Sequence, residues 1–536
     1  MIKKSCLLSY LLLLIFIAGG QTPKTSLLYD FVNEQRQTLR IIDSISLFKR
    51  TTIAPSGKIN ASLSQKLLLV IDKQASLKIY RDKAAGISLK VPSATGTDYK
   101  LELVMQDISS NGNILIGTIN GAGAGKKTGM GQGLHYRGYI NGDPLSIASF
   151  SVFANGEVML LFSNDKGNFN IGSTGGNMGE YVLYNSKDML ASPTFACDAI
   201  PVPGINPVQQ IGALKTAAVP TLLCKKVRVF WEADYKLFSQ NFNSDTTNTA
   251  NYLAGLFNQV AIMFQNEGIT IELTDTYIWV TPDPYNTGTS SDALNTFKTR
   301  WNNLNNNFKA DMALLIDGGS THNGGIAYIP NGLCTRKFNY GYVNVSGSFN
   351  TVPVYSWDVY ALTHEMGHLF GSNHTHWCGW NTGPGGTCGA IDDCETLQAA
   401  GACSTCPVTT SIRPSAPAGF QGTIMSYCHL KAGIGVNLAN GFGPLPQAFI
   451  RNAVNNSACL FADNKWTGAI NTAWENATNW SCGSIPNSTT DVTIGSGLTN
   501  YPVISSAAIC RRIVQQPNTD VLVKTGATLT LTGPPN

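Results

Sequence analysis

The sequence is short of charge: Asp, Glu, Lys and Arg together make up 13% of its 536 residues, about half the usual share. Hydrophobic residues reach 43%, which is ample for packed cores and excludes disorder driven by charge. The formal net charge of +4 is spread along the chain and no run of Lys and Arg makes a basic stripe, so a nucleic-acid partner is excluded. Long apolar runs are also missing. The one candidate, Leu7 to Ile17, is shorter than the ~20 residues a membrane span needs, and no transmembrane segment is expected. Length implies more than one folded unit, at roughly 100 to 200 residues per domain.

In place of charge the chain has 53 glycines and many Asn, Ser and Thr, a composition of β-rich exported proteins with long turns. Lys3 and Lys4, the apolar Leu7 to Ile17 and the small Ala18-Gly19-Gly20 predict a signal peptide over residues 1–20. No Cys follows the small residues, which disfavours a lipid-anchored start. Cys6 lies in that segment, leaving twelve of the 13 cysteines. An even set in an oxidising compartment reads as disulfides. Cys403-Ser-Thr-Cys406 has no second CxxC partner, which argues against a zinc ribbon.

Four units follow from the patterning. Residues 21–200 show short strands between Gly and Asn turns, such as Tyr99 to Met105, and predict a β-rich domain. Residues 201–221 are rich in Pro, Gly and Gln and read as a linker, with Lys215 offering a cleavage point. Residues 222–463 alternate strand, helix, strand, helix, strand, strand, helix, ending on a long helix from Trp357 to Phe370, and predict a mixed α/β domain with helices on its sheet. Residues 464–536 return to short strands, a small all-β module for which a Cys482 to Cys510 disulfide is expected. Its ending has no stop signal, so it could be incomplete.

Histidine is scarce, seven in all, yet four fall between His364 and His376. Three belong to Thr363-His364-Glu365-Met366-Gly367-His368-Leu369-Phe370-Gly371-Ser372-Asn373-His374, and His376 follows just after it. On a helix His364 and His368 are one turn apart and face one side, so both imidazoles can hold one Zn2+. Glu365 lies beside a ligand on another face, which suits a general base acting on water. Gly371 can take the left-handed backbone that ends the helix, returning His374 as third ligand. His376 is a rival for that place, but His374 keeps the motif spacing. Downstream, Gly422-Thr423-Ile424-Met425-Ser426-Tyr427-Cys428 puts a Met in a tight turn, where it can floor three imidazoles.

HExxHxxGxxH followed by such a Met-turn resembles the metzincin metalloproteases, specifically the reprolysin (adamalysin-like) family, over about Leu222 to Asp463. The resemblance implies an α/β catalytic domain with a zinc helix and a Met-turn, one catalytic Zn2+ on His364, His368 and His374, Glu365 as general base and Met425 as the Met-turn residue. It makes Gly324 to Ile329 the edge strand, with Gly325, Ile326, Ala327 and Tyr328 pairing with an extended substrate, and it implies a Cys334–Cys459 disulfide. Tyr427 is placed as in astacins and serralysins, where it can approach the metal or the transition state; the alternative is a buried turn Tyr. In the insertion Cys378 to Cys406, Asp392-Asp393 could bind a structural Ca2+ or form a surface turn.

His135 to Ser151 and Glu180 to Tyr184 resemble the reprolysin propeptide, which implies a latent zymogen. Cys197 then sits where a cysteine-switch thiolate could cap the zinc. With Cys197 as switch and Cys482 joined to Cys510, nine cysteines remain and one is unpaired; a Cys197–Cys224 pair would leave every count even. The function implied is a secreted zinc endopeptidase acting on protein and peptide substrates. A zinc-binding adhesion module derived from a protease is the alternative, and a zinc amidohydrolase a third. The Asn/Thr/Gly-rich end resembles secreted surface proteins of gut-type bacteria, suggesting cell-surface or matrix attachment.

Overall fold

A computed structural model describes residues 26–52, 57–94, 96–109, 113–118, 128–129, 133–174, 179–190, 197–202, 222–285, 288–304, 308–319, 324–329, 333–345, 353–382, 387–400, 403, 405–412 and 415–533. The expected signal peptide and nearly all of the expected linker lie outside them. Among the described residues no helix is long and apolar enough to cross a membrane.

The N-terminal region is a ten-stranded sheet running from Ile41–Ser46 at one edge to Phe48–Arg50 at the other. Its strands Gly133–Ile140, Ile147–Phe153 and Val158–Asn164 form an antiparallel meander. Alternate side chains leave on opposite faces. Tyr136, Ile140, Phe150, Val152, Leu160 and Phe162 fill the sheet's own core, while Tyr139, Ile147, Phe153, Met159 and Leu161 join a second core shared with the next region. The expected β-rich region also carries helices, the two longer of them Leu27–Thr38 and Lys73–Asp82. Each starts on a side-chain cap, Ser26 and Asp72, and each buries only a narrow stripe, such as Leu28 and Val32, too few residues for a clear period.

The second sheet has eight strands. Five belong to the catalytic segment, in the order Gly325–Ile329, Tyr340–Asn344, Met312–Asp317, Lys226–Ala233, Thr270–Trp279. All pair in parallel except Gly325–Ile329, which is antiparallel to its neighbour. The faces separate by alternation along Lys226–Ala233: Val227, Val229 and Trp231 point to the long helix Thr246–Asn266, and Phe230 points to an aromatic layer with Phe297 and Trp301 of helix Ser290–Asn303. The remaining strands come from residues N-terminal to the linker: Cys197–Pro201 outside Gly325–Ile329, and Asn113–Gly117 with Thr128–Gly129 outside Thr270–Trp279. The N-terminal region thus covers both edges of the catalytic sheet.

In the C-terminal residues every ladder between strands is parallel, with one antiparallel bridge between Trp466 and Trp480. Thr490–Ile494, Val503–Ile504 and Ala507–Cys510 pair with Arg512–Gln515, Leu522–Val523 and Thr528–Leu531 respectively, two successive coils of a parallel solenoid. The expected Cys482–Cys510 and Cys197–Cys224 bonds are absent; Cys482 joins Cys224 instead. The cause is local: Asp463 N–H donates to Cys224 C=O at 2.8 Å and Lys226 pairs with Asp463 at 2.5 Å, bringing the start of the first catalytic strand to the module. Cys334–Cys459 forms as the resemblance implied, and Cys378–Cys406, Cys388–Cys403 and Cys394–Cys428 close the insertion. These five disulfides fit an extracellular protein. Nothing in the module supports an attachment role.

Candidate metal centre and active site

Helix Tyr355–Leu369 carries His364, Glu365 and His368, all fully buried. Gly371, at φ +95°, reverses the chain after it, and Ser372 N–H donates back to Gly367 C=O at 3.0 Å. His374 returns to the same point: His368 Nε2 and His374 Nε2 are 3.0 Å apart. Every imidazole is held through its other nitrogen. His364 Nδ1 faces Ile424 C=O at 2.7 Å, His368 Nδ1 faces Ser372 C=O at 2.8 Å, and His374 Nδ1 faces Gln398 Oε1 at 3.1 Å. Acceptors at Nδ1 place the proton there and leave the Nε2 lone pairs converging. Burial drives His368 down to about 4 and His364 and His374 well below their ordinary value, so all three imidazoles are neutral. Convergent neutral donors from three histidines fit Zn2+ with one position open.

Cys197 meets the three imidazoles. Its Sγ is 3.4 Å from His368 Nε2, and its ligand atom and those of the three histidines lie within 4.8 Å of one another. It is buried and unbonded to any other cysteine. Burial first, then the charge of Glu365, pushes its thiol well up, against a smaller opposing pull from Tyr427; a cation at the histidines would favour the thiolate further. Tyr427 grips the same residue: its hydroxyl donates to Cys197 C=O at 2.5 Å and accepts from Cys197 N–H at 3.1 Å. Cys197–Pro201 runs parallel to the edge strand, with Cys197 opposite Gly325, Asp198 opposite Ile326, Ala199 opposite Ala327 and Ile200 opposite Tyr328.

Met425 lies beneath the helix, where a Cβ on Gly367 would come within 2.5 Å of its Sδ. Gly325 is bare for a similar reason, since the Glu365 carboxylate occupies the place of its Cβ. Burial raises the Glu365 carboxyl well above the usual range. His376 is no metal rival: it stacks on His374 with ring centres 4.9 Å apart and planes 10° from parallel. Gln398, on the insertion, was not expected in the site, and its only sequence signal is its place in that insertion. The structural Ca2+ is unsupported. Asp392 Oδ1 accepts from Cys394 N–H at 3.1 Å within the insertion, and Asp393 accepts from Ile412 N–H at 2.6 Å and Ser411 Oγ at 3.1 Å just beyond it; both carboxylates are engaged by local loop groups.

Residues 224–432 match a reprolysin family model described as metallo-peptidase family M12, and residues 465–534 match a domain of unknown function. No curated protein matches the chain. Among solved structures, metalloproteinase-II from Bacteroides fragilis is similar at 11% identity over 63% of this chain and 89% of that one, with a TM-score of 0.26. A chain of a chaperone–substrate complex is similar at 14% identity over 54% of this chain and 49% of that one, with a TM-score of 0.22.

Proposed function

We propose that this chain, a reprolysin-like metalloprotease across residues 224–432, is an exported metzincin endopeptidase that uses one Zn2+ and is held latent by its N-terminal domain. The observation that carries the reading is the meeting of Cys197 with His364, His368 and His374 on a strand laid along Gly325–Ile329. A peptide that occupies the edge strand and ends its run at the histidines is where a substrate would bind.

Zinc held by the three imidazoles supplies Lewis acidity toward the scissile carbonyl and the attacking water. Glu365 takes the water proton and passes it to the departing amine nitrogen. The edge strand Gly325–Ile329 holds the substrate extended through main-chain hydrogen bonds. Tyr427, once it no longer clasps the Cys197 peptide, can donate to the oxygen on which negative charge develops. The adhesion-module alternative would not require a buried carboxylate beside the three histidines.

The test compares the secreted chain and its Glu365→Ala variant, each freed of the N-terminal domain by limited proteolysis. Both should hold one zinc by mass spectrometry, and casein cleavage should fall by about 10²- to 10⁴-fold in the variant. Chelation should abolish cleavage in the parent. A parent that holds zinc and cleaves no protein, or a variant that cleaves equally well, would overturn the reading.

A further inference from the structure

We infer that the N-terminal domain stays bound to the catalytic segment after the chain is cut between them, as a non-covalent inhibitory subunit, so that activation requires its destruction. The inference deepens the zymogen reading above and rests on it.

Three independent contacts hold the two parts together. The first is the sheet, whose catalytic strands are flanked on both sides by strands preceding the linker, Cys197–Pro201 and Asn113–Gly117. The second is the long helix Thr246–Asn266, which is buried without interruption from Thr249 to Phe264. A helix buried all round needs cover on two sides, and the N-terminal meander supplies one of them. Asn258, fully buried, finds every partner of its amide there. It accepts from Arg137 Nε at 2.8 Å, and its nitrogen lies 2.9 Å from Ser149 Oγ and 3.2 Å from Ser151 Oγ. Beside it, a Cβ on Gly255 would strike Met159 Sδ.

The third contact reaches the catalytic machinery. Asn170 donates to Ser356 Oγ at 3.0 Å and accepts from Ser356 N–H at 2.7 Å, capping the first turn of the histidine helix. Asn168 donates to Val436 C=O at 2.8 Å and accepts from Leu438 N–H at 2.9 Å, clasping the loop beyond the Met-turn.

Separating the parts would leave buried amides and one face of a helix without partners, each at a cost. No disulfide among the described residues crosses from one part to the other. Cys197 precedes the linker, so a cut within residues 203–221 leaves it attached to the bound domain and still at the histidines.

The test replaces residues 208–214 by the recognition site of a sequence-specific protease in the full secreted chain. After complete cutting on a denaturing gel, both fragments should elute together from a gel-filtration column, with casein cleavage within about twofold of the uncut chain. Trypsin digestion of the N-terminal fragment should then raise activity about tenfold or more. Separation of the fragments on the column, or full activity at the first cut, overturns the inference. In the Arg137→Ala, Asn168→Ala double variant, which leaves the catalytic fragment unaltered, the cut fragments should part; should that variant fail to be secreted, the elution of the parent decides alone. If the trypsin-treated enzyme stays inert, the protease reading fails, while co-elution still decides the inference.

Discussion

Acid should loosen the N-terminal domain, and His135 should account for a measurable part of the effect. This imidazole is 5% exposed, with Nδ1 2.9 Å from Ser151 Oγ and its ring edge-on to Phe153. Burial first, and the Arg137 guanidinium second, lower it from the ordinary 6.5 to about 3. Because the folded value lies below the unfolded one, the stabilisation is intact above pH 6.5 and is lost as pH falls from 6.5 toward about 3. Between pH 7 and pH 5 the loss is about 2 kcal/mol, or roughly 4 to 8 °C in Tm for a unit of this size. Calorimetric scans of the full chain at the two pH values, parent against His135→Gln, isolate it. Other groups, His376 among them, titrate alike in both proteins and cancel. The variant should start less stable and lose less on acidification; equal losses in the two proteins would refute the argument.

Replacing Cys197 by Ala removes the thiol facing His368, and the uncut chain should cleave a short fluorogenic peptide about tenfold faster or more, measured by initial rates; an unchanged rate would remove Cys197 from latency. Tyr427→Phe takes away both hydrogen bonds to the Cys197 peptide, a loss of about 1 to 3 kcal/mol. The Cys197 thiol of the uncut variant should react with a thiol reagent roughly tenfold faster, and the digested enzyme should show a lower kcat with KM little changed. Cys482→Ser opens the bond to Cys224 and should cost about 2 to 5 kcal/mol, seen as a lower Tm, with casein cleavage at 25 °C intact.

The histidine helix and the edge strand were legible because each is local. HExxHxxGxxH contains its own geometry, a helical turn followed by a glycine reversal, and the strand Gly325–Ile329 falls within the Gly324 to Ile329 stretch that the resemblance marks. What the sequence could not disclose is pairing over distance. Strand Asn113–Gly117 carries the right pattern for a strand, but nothing in it says that it leaves its own domain to join Thr270–Trp279 in the other sheet. The parallel solenoid at the C-terminus was missed for the same reason, since alternation in a strand is blind to the direction of its neighbour. Cysteine counting failed at Cys482 because parity tests a set of pairs without choosing among them. Two of the twelve are unpaired, Cys197 and Cys510, so the count stayed even although one of them faces the histidines.

The long helix shows how such a failure can carry information. Leu253, Leu256, Phe257, Val260, Met263 and Phe264 mark an apolar stripe, and by the usual argument Asn251, Asn258 and Gln259 should face water. All three are buried. The N-terminal surface facing the helix joins apolar Phe153, Met159 and Leu161 to polar Ser149, Ser151 and Arg137, and the polar part lies against Asn258, whereas the sheet side of the helix is covered by Val229 and Trp231. A permanent core has no need of an amide face, and an obligate interface is normally its more apolar kind. A helix face able to take water again after its partner has been degraded does need one. Asn258, which this pattern would turn toward water, therefore suits a surface covered by the N-terminal domain in the full chain and exposed once that domain is removed.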